Sequence, residues 1–96
     1  MTRRYRLSRE AEGDIARLYR FGVKTFGLAQ ADAYFDGLFE RLHQIAETPQ
    51  RYPSLDEIRA GYRRSVFAAH SIYFRLSPDG VVEIMRVLGR EDTDAL

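Results

Sequence analysis

The chain of 96 residues has no cysteine, a single lysine, two histidines and three prolines. Without cysteine there can be no disulfide and no thiolate metal site, a composition that fits a reducing cytosol. No apolar run approaches the roughly 18 residues that a membrane-spanning helix needs. The opening Met1-Thr2-Arg3-Arg4-Tyr5-Arg6 carries positive charge with no apolar stretch behind it, so it is not expected to act as a signal peptide. His43 and His70 stand too far apart along the chain to form a ligand cluster, so no metal is expected. The seven glycines are scattered at turns, caps and helix positions, and none builds a phosphate-cradling loop. No serine sits in a nucleophile motif. No catalytic residue and no cofactor are therefore assigned.

What remains is an ordinary globular composition, 45% apolar and 30% charged, in a single domain over residues 1–96. A chain of this length buries roughly two thirds of the surface its unfolded form exposes, enough for one thin core. A net charge of +1 argues against coating nucleic acid by charge alone. Only Lys24 among the cations is not arginine. Genomic codon usage accounts for such a bias, and so does a need for planar guanidinium groups that grip carboxylates or phosphates with two bonds. Composition does not separate the two.

Tyr5 and Leu7 alternate with Arg4 and Arg6 as a short half-buried strand. Ser8 offers an N-cap, and Glu10 and Glu12 follow where the helix dipole favours acids. Ala11, Ile15, Leu18, Gly22 and Phe26 then form an apolar stripe at helical spacing, ended by Gly27. A second helix buries Ala31, Tyr34, Phe35, Leu38, Leu42, Ile45 and Ala46 and stops at Thr48-Pro49. The short break between them predicts an antiparallel helical hairpin. A connector follows, in which Ser54-Leu55-Asp56-Glu57 could cap one helical turn. Three strands follow over residues 62–67, 70–76 and 81–88, the last two joined by the turn Ser77-Pro78-Asp79-Gly80. The class is α+β, with order β-α-α-β-β-β and the hairpin packed on one face of a small, mostly antiparallel sheet.

The polar faces of the helices differ in sign. Arg9, Arg17, Arg20 and Lys24 oppose the stripe of the first; Asp32, Asp36, Glu40, His43 and Glu47 do so on the second. Solvated faces with exposed pairs under about 1 kcal/mol each are one reading; a charged flank that guides a partner chain is the other. Phe21 and Phe39 lie at the margins of their apolar arcs and are candidates for an exposed groove. Along the middle strand of the three, His70, Ile72, Phe74 and Leu76 share the better core face, which makes His70 a hydrogen-bonded histidine at the core margin. Tyr73 and Arg75 take the other, open face. On the last strand the pattern leaves the register undecided. Arg86 either joins an open-face patch or needs a buried carboxylate partner, since an unpaired buried charge is too costly.

Several groups of residues resemble the ParE branch of the ParE/RelE superfamily of bacterial toxins. They are Leu7-Ser8 with Ala11, Asp14 and Ile15; Phe26-Gly27, Tyr34, Leu38, Leu42, Ala46 and Pro49; Gly61 with Arg63-Arg64; His70, Ile72 and Arg75; and Ile84 with Arg86-Val87-Leu88. The resemblance runs over nearly the whole chain, and its ending is its most specific part. It implies a cytoplasmic toxin neutralised by a ParD-type antitoxin in a hetero-oligomer, touching DNA only through that antitoxin. DNA gyrase is the implied target, inhibited by protein–protein contact. RelE-like relatives instead cleave messenger RNA on the ribosome, using basic residues with a tyrosine, histidine or glutamate near the end of the sheet. Here Gly89 stands where relatives often carry histidine, and no tyrosine follows the last strand. That favours the ParE reading over a ribonuclease, with a toxin-fold protein of another function as third possibility. Candidate target contacts are Arg64, Arg75, Arg86, Gly89, Arg90, Asp94 and Leu96; candidate antitoxin contacts are Phe21, Phe39, Arg17, Arg20 and Lys24.

Overall fold

A computed structural model describes residues 5–89 and Leu96. Strand β1 (Tyr5–Leu7) leads into helix α1 (Arg9–Phe26), helix α2 (Leu28–Glu47), a single 3-10 turn (Pro49–Arg51), and strands β2 (Tyr62–Phe67), β3 (His70–Leu76) and β4 (Val82–Gly89). The four strands form one sheet in the order β1-β4-β3-β2. β2, β3 and β4 pair antiparallel, and β1 lies parallel to β4 after the helical crossover. The two helices packed on this mixed sheet are the α+β layer expected from the sequence.

Local chemistry sets the boundaries. Ser8 caps α1 by accepting the Ala11 amide at 3.0 Å, while its own hydroxyl donates to the Met85 carbonyl at 2.8 Å. One side chain thus starts the helix and ties it to β4. Gly27, at φ +91°, ends α1 and begins α2 in a conformation that side-chain-bearing residues rarely adopt. Gly37 permits a close approach: a Cβ there would stand 3.0 Å from the Phe67 ring. The Ser77–Gly80 turn closes with a Gly80 amide to Ser77 carbonyl bond of 2.8 Å, with Gly80 at φ +84°.

The main core lies between the helices and one face of the sheet. Ala11, Phe35, Leu38, Leu42 and Ile45 meet Ile72, Phe74, Val82, Ile84 and Val87 there. A second, smaller cluster occupies the opposite face: Leu55, Tyr62, Tyr73 and Leu88, with Met85 and Leu96 against it.

Three sequence expectations change. Tyr73 is not on an open face. It is fully buried, because the connector brings Leu55 over that side and Leu88 packs beside it. Leu76 is half exposed, lying at the last position of β3. Phe26, expected to end the apolar stripe of α1, is 57% exposed at the last position of its helix.

Strand β4 shows why its facing was undecidable by alternation. The pairing with β3 slips between Tyr73 and Phe74, so that Tyr73 opposes Arg86 and Phe74 opposes Ile84, leaving Met85 as an extra residue. This bulge lets Ile84 and Val87, three apart, both face the main core, while Met85 and Leu88 both face the second cluster.

Candidate functional site

Beside the bulge lies the most highly connected polar group among the described residues. Asp14, on α1, is 2% exposed. Its carboxylate accepts from Arg86 twice, Nε at 2.8 Å and Nη2 at 3.0 Å, from the Val87 amide at 3.0 Å and from Arg17 Nη2 at 2.7 Å. Burial raises the Asp14 pKa, but the bonds from Arg86, Val87 and Arg17 outweigh it and hold the carboxyl below its ordinary range. Of the two alternatives for Arg86, the carboxylate partner is therefore the one realised. Its guanidinium is held by α1, while its backbone stands opposite Tyr73 in the cross-strand row that also holds Arg64. The signal was present in the sequence: Asp14 falls between Ala11 and Ile15 of the apolar stripe, where a carboxylate requires a cation.

Arg64 and Arg75 do share a face. Arg64 stands opposite Tyr73, and Arg75 opposite Tyr62 and Glu83, on the side of the second cluster. Arg75 binds Glu83 with Nε at 3.0 Å and Nη2 at 2.9 Å, an exposed pair of small energetic consequence. Gly89 is the last residue of β4, opposite His70. Arg90 and Asp94 lie outside the described residues. Leu96 is half-buried against the second cluster, which the sequence did not suggest.

Two apolar clefts flank the helical hairpin. One, of about 430 Å³, is lined by Leu18, Phe21, Phe26, Tyr34, Phe35 and His70 among others. Phe21 stands 61% exposed at this cleft, with Phe26 beside it. The Tyr34 hydroxyl and His70 Nδ1 bond at 2.6 Å, which fits the expected hydrogen-bonded histidine at the core margin. Burial lowers the His70 pKa, favouring the neutral ring. The other cleft, about 450 Å³, lies between α1 and α2 and is lined by Leu7, Ile15, Tyr19, Phe35 and Phe39 with the acids Glu12, Asp32 and Asp36. Phe21 and Phe39 thus line different clefts and do not make one groove. Arg20 and Lys24 are exposed on α1, whereas Arg17, also exposed, is partly engaged by Asp14.

Across the hairpin, Tyr19 donates to Asp32 at 2.5 Å; no ion pair joins the two helices among the described residues. His43 is exposed and meets the Tyr5 ring edge-on, with centroids 5.3 Å apart. No group of three or more histidine, aspartate or glutamate side chains that could hold a metal occurs among the described residues.

A family model described as "ParE toxin of type II toxin-antitoxin system, parDE" matches residues 5–93. The chain belongs to the ParE toxin family. A protein named Toxin ParE1 from Mycobacterium tuberculosis is 30% identical over 95 residues, covering 98% of this chain and 97% of the relative. A Toxin ParE1 from Caulobacter vibrioides is 38% identical over 85 residues, covering 88% and 85%. A solved structure titled "Chromosomal ParDE TA system from P. aeruginosa" contains a chain that superposes with a TM-score of 0.80. The match covers 94% of this chain and 98% of that one at 17% identity, a likeness of fold. Fold and family thus agree with the resemblance read from the sequence, and the ParE-family match spans both the Asp14–Arg86 lock and the helical hairpin.

Proposed function

We propose that this ParE-family toxin is held inactive by a ParD-type antitoxin and, when free, arrests growth by binding DNA gyrase without catalysing a reaction. The observation that carries the reading is the family match, which runs through every described element from β1 to β4 and not through an isolated motif. Poisoning by contact needs a shaped surface and no general acid, base or phosphate clamp. That suits a chain whose Arg86 is bound to Asp14 and whose His70 is bound to Tyr34.

For the antitoxin, the cleft at Phe21 and Phe26 supports a docking role. It is apolar, open, and borders the helix that carries Arg20 and Lys24. An amphipathic segment with acidic flanks that folds on binding would bury the phenylalanines and meet the cations. Phe39 with its acidic neighbours offers a second contact on the far side of α1. DNA contact would come through the antitoxin, in keeping with the net charge of +1. For the target, the proposed contacts are Arg64 and Arg75 on the sheet, Arg86 at its bulge, and Gly89, Arg90, Asp94 and Leu96 at the end of the sequence.

The test is co-expression followed by purification of the toxin. Pure toxin should inhibit gyrase supercoiling or trap its cleaved-DNA complex, and the antitoxin should reverse this. Ribosome-dependent cleavage of messenger, lost on mutating Arg86 or Arg90, would assign the chain to the RelE-like ribonucleases instead.

A further inference from the structure

The second apolar cluster has an unusual lid. Leu55, Tyr62, Tyr73 and Leu88 are covered on the outer side of the sheet, and Leu96 packs against them from the far end of the sequence. The Leu96 carbonyl accepts a hydrogen bond from Arg59 Nη1 at 2.7 Å, between residues 37 positions apart.

Arg59 is also held by contacts that do not involve Leu96. Its amide donates to the Leu55 carbonyl at 2.8 Å, and its carbonyl accepts from the Tyr62 amide at 3.1 Å, so its backbone is fixed from both sides. Its guanidinium lies 4.8 Å over the Tyr62 ring. A stacked, planar donor loses less freedom on making a bond than a free one. The floor of the seat is Leu55 and Tyr62, the same residues whose backbone holds Arg59, so the apolar and polar contacts form one unit.

The contribution to folding is small. One hydrogen bond on an exposed arginine and a half-buried leucine amount to little beside the ten-residue main core. What the contact does fix is the place of Leu96 on the outer face of the sheet.

We infer that Arg59, with the Leu55–Tyr62–Tyr73–Leu88 cluster, is a seat for Leu96 that holds this proposed target contact on the outer face of the sheet, the face that carries Arg64 and Arg75. Arg59 is a positioning residue that itself need not touch the target. This rests on the proposal that the end of the sequence contacts the target.

The experiment uses the full chain with Arg59→Ala, Arg59→Lys and Leu96→Ala, each read in three ways. In wild type the Leu96 methyl resonances should be displaced from random-coil positions by the Tyr62 and Tyr73 rings; in Arg59→Ala they should move to random-coil values, and in Arg59→Lys, which keeps the charge but loses the planar stack, they should move part of the way. The intracellular dose needed for growth arrest should rise about tenfold in Arg59→Ala and in Leu96→Ala, the scale of one lost charge-assisted contact. Antitoxin binding should stay unchanged and the melting temperature should move by less than about 4 °C. Random-coil Leu96 methyls in wild type would overturn the seat. Released methyls with undiminished arrest would overturn the positioning role, as would a proportional loss of stability and antitoxin binding. Failure of the wild type to arrest growth would instead sink the toxin reading and with it the positioning role, while the methyl shifts still decide whether the seat exists.

Discussion

Removing the Asp14 carboxylate takes the acceptor from the Val87 amide, from Arg17 and from the bidentate Arg86 contact in one change. Breaking a buried ion pair by deleting one partner is far costlier than the pair is stabilising, so Asp14→Ala should lower stability by about 3 kcal/mol, measured by denaturant unfolding. Arg86→Ala should cost less than Asp14→Ala, because the aspartate keeps its bonds from Val87 and Arg17. Acid titration probes the same group. The folded-state pKa of Asp14 lies below its unfolded value, so its stabilisation is complete above about pH 4 and is lost as pH falls through the folded value. His70 acts in a higher window. Its pKa is also lowered on folding, so the unfolded chain protonates first and stability should decline as pH falls below about 6.5. His70→Asn should flatten that decline in a melting-temperature series while leaving the steeper acid limb. At Arg86 the sequence left two alternatives, an open-face patch or a carboxylate partner, because alternation did not decide its facing. Nor was the partner's identity legible, because 72 residues separate Arg86 from Asp14 and only the crossover brings them together.

At the scale of elements, α1 and α2 were readable because capping and periodicity agree: Ser8, Gly27 and Thr48-Pro49 mark every boundary. The turn at Ser77–Gly80 was equally explicit. Alternation failed on β4, where one extra residue at Met85 changes the parity of everything before it. It also misjudged the outer face of the sheet, since a connector without regular periodicity gives no sign that it folds back to cover Tyr73. Exposure at the hairpin end was half visible: Phe21 was placed at a margin, but Phe26 and Leu28 stand out to solvent as well. Substitutions in the hairpin separate folding from binding. Gly27→Ala forces a side chain into positive φ and should destabilise by about 1 kcal/mol or more in thermal unfolding. Phe21→Glu should leave folding within about 0.5 kcal/mol, as an exposed substitution. The same change should weaken antitoxin binding by about 2 kcal/mol or more in calorimetry, as loss of an aromatic anchor does. Leu38→Ala, by contrast, should cost about 3 kcal/mol of stability in the core. Normal antitoxin affinity in folded Phe21→Glu and Phe39→Glu variants would place the groove elsewhere.

For the whole molecule, the sheet divides the labour proposed here. One face carries the core and the helical hairpin with its open clefts; the other carries Arg64, Arg75 and the seat of Leu96. Antitoxin contact at the hairpin and target contact at the outer face should then be separable by mutation. Deleting residues 94–96, and separately residues 89–96, should reduce killing at matched soluble expression while antitoxin binding persists, and full killing from the longer truncation would move the target surface onto the sheet arginines Arg64, Arg75 and Arg86. The most direct test of the central proposal is a supercoiling assay with purified DNA gyrase, the free toxin and a stoichiometric titration of its antitoxin. The account predicts inhibition, or accumulation of cleaved DNA, that disappears as the antitoxin saturates the toxin. Undisturbed gyrase at toxin concentrations that arrest growth would contradict it.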